Sequence, residues 1–248
     1  MELSKRLNMI AGMVKPVDSL ADIGCDHGFL SIKLAERKLC DRIIAADVNI
    51  GPLERAKEHI SENELDDVIE TRLSNGFEKI APGEVSAFVI AGMGGPLGLE
   101  IIYKGRKQVS GTKYCILQVQ SELELVRFCL SEWQFDCMEE YLVEEDGKYY
   151  FAMMVHPNRE FAYFNTESFP DFLSRMRKKL YALPAEKASC YFYPKQVRAG
   201  NGEYETYQMK ERLRLKEIAR QLKKEDSDRC KERLTRIIWE LEVLEKSI

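Results

Sequence analysis

The chain has 248 residues, of which 45% are hydrophobic and 31% are charged, and its formal net charge is -4. That size accommodates a catalytic domain of about 150 residues with an appendage. No apolar run approaches the ~20 residues that span a bilayer, and the charged first residues lack the apolar stretch of a secretory signal. We therefore expect a cytoplasmic protein without membrane contact.

Charge is distributed unevenly along the chain. Residues 1–156 contain 17 Lys and Arg against 26 Asp and Glu, a balance of -9, whereas residues 157–248 contain 20 against 15, a balance of +5. A basic segment attached to an acidic domain is expected where the segment meets a polyanion, although helices are also rich in Lys and Arg for solubility alone.

Seven cysteines without a C-x-x-C pair and three dispersed histidines favour reduced thiols and no metal site.

The first half alternates short apolar runs with helical stretches, a pattern typical of a parallel sheet with crossover helices. Strands are predicted at residues 19–23, 42–47, 69–73, 85–91 and 114–119, and the fourth of these, the most apolar, is expected to be central. Helices are predicted at residues 30–38, around Pro52 to Ile60, at 97–107 and at 122–133.

Two further strands are predicted at residues 137–143 and 149–155, joined at residues 145–147. So short a connection requires an antiparallel pair. A Rossmann-like sheet that is mostly parallel and ends in an antiparallel hairpin is the layout of a class I methyltransferase, whereas a nicotinamide-binding domain lacks the hairpin. We expect an α/β fold of this class over residues 1–156.

Beyond residue 156 the pattern becomes helical. A stripe of apolar residues with coiled-coil spacing closes the chain, and a shorter stripe precedes it, with a break at residues 225–228 where Asp226 or Ser227 is suited to cap the second helix. The two stripes consist of Leu215, Ile218 and Leu222, and of Cys230, Leu234, Ile237, Leu241, Leu244 and Ile248. Residues 157–248 are thus predicted to form a helical domain with an antiparallel coiled-coil pair.

The first strand is followed at once by Asp22-Ile-Gly-Cys-Asp-His-Gly28. This loop follows the D-x-G-x-G-x-G pattern of S-adenosylmethionine (SAM) sites except that Asp26 replaces the middle glycine, and glycine allows backbone to approach a ligand closely. Two carboxylates at the turn would repel a pyrophosphate but suit a ligand with a cationic sulfonium and an ammonium group. We expect Asp22, Gly24, Cys25 and Gly28 to bind SAM.

Three later strand ends complete the predicted cofactor site. An acidic side chain 23 residues after Gly24 is placed to bind ribose hydroxyls, and an Asn-Gly pair can meet an adenine edge, although each also occurs as an ordinary strand end or turn. A glycine turn follows the fourth strand, where the N-P-P-Y tetrapeptide of enzymes that methylate exocyclic amines is missing. The residues assigned here are Asp47, Val48, Asn75, Gly76, Ala91, Gly92 and Gly94.

These residues resemble a known family, the bacterial tRNA adenine-22 N1-methyltransferases (TrmK). The resemblance covers nearly all of residues 1–156, continues more weakly from Tyr193-Pro194 to the end, and has no counterpart over residues 157–190. The matching stretches are Leu3-Ser-Lys-Arg-Leu7, Ala21-Asp-Ile-Gly-Cys-Asp-His27, Ala91-Gly-Met-Gly-Gly95, Ile116-Leu-Gln118 and Glu144-Glu-Asp-Gly-Lys-Tyr149. The resemblance implies SAM as cofactor, tRNA as partner and methylation of N1 of adenine 22 in the D-arm.

The chain departs from the family pattern at three places. The family usually has G-D-G where this chain has Ser74-Asn-Gly76, Q-P-N where it has Gln118-Val-Gln120, and serine where it has Cys25. These departures keep open methylation of another RNA, a protein or a small molecule, and also a SAM-binding or RNA-binding paralogue that has lost transfer.

Adenine N1 is an unprotonated nucleophile, so its methylation needs in-line positioning more than a general base. Because the base becomes a cation, a carboxylate beside it would stabilise the transition state. We expect Asp26, then His27, in this role, with Met93 shaping the slot. A target inside a stem must also be extruded, which requires contacts to tRNA shape. The basic residues expected to supply them are Lys5, Arg6, Lys195, Arg198, Lys210, Arg212 and Arg214.

Overall fold

The computed structural model describes residues 3–164, 167–200, 202–225 and 227–247. Within them one sheet contains the strands β1 (Val17–Ile23), β2 (Cys40–Asp47), β3 (Ile69–Leu73), β4 (Ala87–Met93), β5 (Tyr114–Val119), β6 (Asp136–Glu145) and β7 (Lys148–His156). Their spatial order is β3-β2-β1-β4-β5-β7-β6, and β7 alone runs antiparallel to both of its neighbours. The predicted mostly parallel sheet with a terminal antiparallel hairpin is confirmed.

The helices are α1 (Lys5–Met13), α2 (Phe29–Glu36), α3 (Ile50–Glu62), α4 (Gly95–Lys104), α5 (Arg106–Val109), α6 (Leu123–Glu132), α7 (Phe169–Tyr181), α8 (Ala185–Phe192), α9 (Glu203–Leu222) and α10 (Asp228–Ser247), with a 3-10 helix at Arg159–Tyr163. One face of the sheet is covered by α1, α2 and α3, which bury Ile10, Leu30 and Ile60. The other is covered by α4, α6 and α7, which bury Leu99 and Phe172. Strand β4 is central, as predicted, and residues 87–90 are completely buried.

Helix α1 is an element that the sequence patterns did not predict. Ser4 caps it, because its side-chain oxygen accepts a hydrogen bond from the Leu7 amide at 3.2 Å. Ile10, Ala11 and Met13 are buried against the sheet. The helix therefore fixes its first turn, which includes Arg6, beside the carboxyl ends of the strands.

Several predicted boundaries differ from the structure, among them that of β4, which spans Ala87–Met93 rather than residues 85–91. The single helix predicted at 97–107 is divided into α4 and α5 at Gly105, where a Cβ atom would lie 2.3 Å from Cδ2 of Phe77. Helix α4 also begins earlier, at Gly95, because Pro96 is well tolerated in a first turn. The hairpin strands are longer than predicted, since Asp146 (φ 52°) and Gly147 (φ 77°) alone form the turn, as in a type I′ hairpin.

The C-terminal helices pack in two places. Helix α7 shares the apolar core of the sheet through Phe172, whereas α9 and α10, joined by five residues (223–227), pack through Leu215, Leu222 and Ile237. Ser227 accepts from the Cys230 amide at 3.3 Å, consistent with its predicted capping role, and Asp226 and Ile248 lie outside the described residues. The coiled-coil character of this pair and the domain boundary after residue 156 stay predictions.

Across the described ranges, no helix is both long and apolar enough to cross a membrane. All seven cysteines lie in the described part of the chain and are free.

Candidate functional site

A cavity of about 410 Å³ opens at the carboxyl ends of β1 to β4. Ligands bind at this edge in open α/β sheets. Most residues of the predicted cofactor and catalytic sets line it, and the structure thereby brings together Asp22, Gly24, Cys25, Asp26, His27, Asp47, Val48, Asn75, Gly76, Ala91, Gly92 and Met93. Sequence segments that are far apart in the chain therefore converge on one space.

Gly28 and Gly94 are not among the residues that line this cavity. Gly28 adopts a left-handed conformation at the start of α2, and a Cβ there would lie 3.1 Å from Cβ of Ala56. Gly94 precedes α4, and a Cβ there would lie 3.2 Å from Oγ of Ser121. Both glycines thus permit close packing around the cavity.

Two buried aspartates dominate the electrostatics of the cavity. Asp22 is 3% and Asp47 is 7% exposed. Burial raises the pKa of Asp22 to about 6; the Ser31 hydroxyl, which donates at 2.7 Å, opposes this, and the nearby charge of Asp47 adds to it. Asp47 accepts from the amides of Asp26 (3.2 Å) and Asn49 (2.8 Å). Two fixed carboxylates disfavour a phosphate here and favour a ligand that is cationic or rich in hydrogen-bond donors.

Gly24 allows a close approach beside these carboxylates. It has a φ of 77°, and a Cβ there would lie 2.2 Å from Cε of Met93, so the Met93 methyl group lies against the glycine backbone. The neighbouring Cys25 thiol is buried; burial raises its pKa, and the charges of Asp22 and Asp47 act in the same direction. Cys25 is therefore a neutral thiol that packs in the wall rather than a nucleophile.

Asp26 is the exposed aspartate among the three that line the cavity, with 69% of its side chain accessible. Its Oδ1 lies 3.4 Å from Nε2 of His27. Nδ1 of His27 accepts from Nε of Arg55 at 3.2 Å, and the His27 ring stacks on Phe29 at 5.6 Å between centroids. Because Nδ1 accepts, Nε2 carries the proton and donates toward Asp26. The imidazole is thus held in one tautomer beside an accessible carboxylate.

Arg6 reaches the glycine turn after β4 through a buried glutamine. Oε1 of Gln118 accepts from Nη1 of Arg6 at 2.9 Å and from the Gly92 amide at 3.1 Å. The guanidinium also lies 5.8 Å from the centroid of the Tyr150 ring. Within the described ranges no carboxylate forms an ion pair with Arg6, although it is part of the cavity wall.

The other basic residues of the predicted RNA-binding set lie outside this cavity. The Lys5 ammonium group donates to the Glu144 carbonyl. Arg198 forms an isolated backbone bridge to Tyr141 of the edge strand β6 and an ion pair with Glu139. The remaining partners are Glu245 for Arg212, Glu211 for Arg214 and the Tyr149 ring for Lys210, while Lys195 is exposed. Arg6 is therefore the member of the predicted RNA-binding set that lines the cavity, and the other six members lie outside it.

Some contacts could not be found from sequence spacing. Ser31 is the partner of Asp22. Gln118 links Arg6 to Gly92, although the sequence placed it only within the Ile116-Leu-Gln118 match and the Gln118-Val-Gln120 departure. Asn75, predicted to meet an adenine edge, donates its amide nitrogen to Glu78 at 2.9 Å. The motif residues carried a signal in the sequence, whereas these partners depend on the tertiary fold.

The fold and the cavity are those of a methyltransferase, and residues 3–153 match the family model described as "Methyltransferase domain". The tRNA (adenine(22)-N(1))-methyltransferase of Bacillus subtilis strain 168 is 32% identical over 164 residues, which are 66% of this chain and 69% of that protein. The crystal structure of the B. subtilis M1A22 tRNA methyltransferase TrmK is similar, with a TM-score of 0.79, 27% identity, and coverage of 100% of this chain and 99% of that one. The chain belongs to the TrmK family.

The fold is also similar to that of Streptococcus pneumoniae Sp1610, which was solved in complex with S-adenosyl-L-methionine. The TM-score is 0.75 at 24% identity, and the match covers 99% of each chain. The similarity extends across the C-terminal helices, including the segment for which the sequence alone offered no counterpart.

Proposed function

We propose that this protein transfers the methyl group of SAM to N1 of adenine 22 in the D-arm of tRNA. The observation that carries the proposal is the pair of buried carboxylates, Asp22 and Asp47, in the strand-end cavity of a chain that belongs to the TrmK family. A tRNA substrate also implies that the protein acts in the cytoplasm.

The donor set of the cavity fits SAM. Asp22 is suited to the ammonium group and Asp47 to the ribose hydroxyls, because both are carboxylates held by hydrogen bonds that leave acceptor capacity free. Gly24 has no side chain, so its backbone and the Met93 methyl group pack closely in the cavity wall beside the two carboxylates. Bound SAM supplies a methyl group activated by a cationic sulfonium.

Residues of the cavity act on the target base by positioning it and by stabilising the positive charge that it acquires. Asp26, with its accessible carboxylate, is proposed to stabilise the positive charge that adenine acquires, and His27 orients it at 3.4 Å. Met93 and the backbone of Gly92 shape the slot beside it. No general base is needed, because N1 is unprotonated before attack.

Residues 157–248, with their balance of +5, are proposed to form an arm that contacts tRNA. Several exposed cations of this segment, including Lys195, Lys216 and Arg233, have no acidic partner among the described residues. Such unpaired charges are available for phosphates, whereas Arg212 and Arg214 already have carboxylate partners.

The test is nucleoside mass spectrometry on unmodified tRNA incubated with the protein and SAM. N1-methyladenosine should form with adenine at position 22 and not with guanine there. In Asp26→Asn the rate should fall at least ~100-fold while SAM affinity is retained. SAM binding without any methylated nucleoside would instead identify a paralogue that has lost transfer.

A further inference from the structure

Gln120 presents a free carboxamide at the rim of the cavity. The backbone amide of Gln120 donates to the Met93 carbonyl at 2.8 Å, so its backbone is fixed. Its exposed side chain lines the cavity. A Cβ built on Gly92 would lie 3.9 Å from its Nε2. Nowhere in the described part of the chain does this carboxamide find a hydrogen-bond partner, so its donor and its acceptor are both available.

Three polar side chains surround the exposed Gly92 backbone, and they differ in what they can offer a base. Arg6 is cationic, and Gln118 is fully buried with its Oε1 already shared by two donors. Gln120 is neutral, and its carboxamide has no hydrogen-bond partner among the residues that the structure describes. A cation beside adenine opposes the positive charge that N1 methylation creates, whereas a carboxamide does not.

We propose that Gln120 is a specificity-determining residue that binds N6 and N7 of the target adenine. A glutamine carboxamide matches this edge, because its Oε1 accepts from the N6 amine while its Nε2 donates to N7. N1 lies on the other, base-pairing edge and is left free to attack. Guanine presents acceptors at both O6 and N7, so Oε1 is left against an acceptor. The inference rests on the proposed function and names the group that reads the base.

The same contact favours the transition state. As N1 is alkylated, the base becomes cationic and its N6 amine becomes a stronger donor to Oε1 of Gln120. An interaction that strengthens along the reaction raises kcat as well as affinity. Gln120 therefore contributes to the rate through its contacts with N6 and N7 of the adenine. It does not obstruct the methyl transfer, because N1 is on the opposite side of the ring system from N7.

The experiment compares tRNAs that carry adenine, guanine or 7-deazaadenine at position 22, assembled by ligation. The last of these replaces the N7 acceptor by C–H and leaves N1 and N6 in place. The proteins are wild type, Gln120→Ala, Gln120→Glu and the control Gln196→Ala, which removes an exposed glutamine that lines a separate cavity. The measurements are kcat/KM for methyl transfer and SAM affinity by calorimetry.

For wild type and Gln196→Ala, kcat/KM should be ~3–15-fold lower on the 7-deazaadenine tRNA than on the adenine tRNA, because one hydrogen bond to the base is lost. Gln120→Ala should lose ~10–100-fold on adenine and respond less than about twofold to 7-deazaadenine. Gln120→Glu should invert the preference, because one carboxylate oxygen then repels N7 but not the C–H of 7-deazaadenine. SAM affinity should stay within about twofold throughout.

The proposal is overturned if the 7-deazaadenine effect persists undiminished in Gln120→Ala, or if that variant loses SAM affinity by the same factor as activity. The absence of inversion in Gln120→Glu would also contradict it. These failures leave the proposed function intact, since wild-type methylation of adenine 22 is measured in the same series. No methylation by wild type would overturn both.

Discussion

Arg6 and Gln118 are joined by a 2.9 Å hydrogen bond although 112 residues separate them in the chain. The acceptor, Oε1 of Gln118, also takes the Gly92 amide, so the first turn of α1 is connected to the glycine turn after β4 through one atom. Arg6 lies on the cavity wall and pairs with no carboxylate of the described residues, so it is suited to an anion. A tRNA phosphate beside the target base is the anion that the proposed function supplies.

Arg6→Gln should therefore weaken tRNA binding by ~3–10-fold at low salt and reduce the salt slope by about one, with SAM affinity unchanged. Binding measured at several salt concentrations checks this. Lys113→Gln is the matched control, because it removes the same charge near Asp18 and away from the cavity. A tenfold loss of SAM affinity with intact tRNA binding would show that Arg6 holds the cofactor carboxylate instead.

At pH 7 the ionised carboxylate of Asp22 should lower the free energy of unfolding of the protein without cofactor. Its folded-state pKa of about 6 lies above the ordinary 3.8, so folding favours the protonated form. Its stabilising contribution is complete below about pH 3.8 and is lost as the pH rises through 6. Asp22→Asn, which still accepts from Ser31, should be ~1–3 kcal/mol more stable at pH 7 and nearly equal to wild type at pH 4. Urea unfolding at both pH values tests this, and equal stabilities at pH 7 would contradict it.

The same carboxyl should make cofactor binding depend on pH. An ammonium group favours ionised Asp22, so SAM and its demethylated product should bind more weakly as the pH falls below about 6, by up to ~10-fold per pH unit. Calorimetry between pH 5 and 7 measures this, a range in which the ligand ammonium stays protonated. Asp22→Asn should bind weakly but without this slope. A slope that survives in the variant would assign the titration to another group.

Sequence patterns could predict the sheet and the motif residues, because strand periodicity and the Asp22–Gly28 loop are local signals. They could not predict α1, because a helix of nine residues with modest patterning depends on burial of Ile10 and Met13 against the sheet. The Arg6–Gln118 bond and the partnership of Ser31 with Asp22 were also out of reach, since each is fixed by packing between distant elements.

The C-terminal cations should dominate the salt dependence of tRNA binding. Deletion of residues 157–248 would also remove α7, which buries Phe172 in the sheet core, so charge substitution is the cleaner change. The triple variant Lys195→Gln, Lys216→Gln and Arg233→Gln should bind tRNA more weakly and with a slope shallower by ~2–3. Its SAM affinity should be unchanged, because none of the three lines the cofactor cavity.

The matched control for these cations is the triple variant Lys79→Gln, Lys107→Gln and Lys113→Gln, which removes the same charge from exposed positions of the sheet domain. Gel-shift titration at several salt concentrations compares the two. General electrostatic attraction alone would change both slopes equally, since it depends on net charge rather than on position. Equal slopes would therefore contradict a tRNA-binding arm and leave the C-terminal helices a packing or association role.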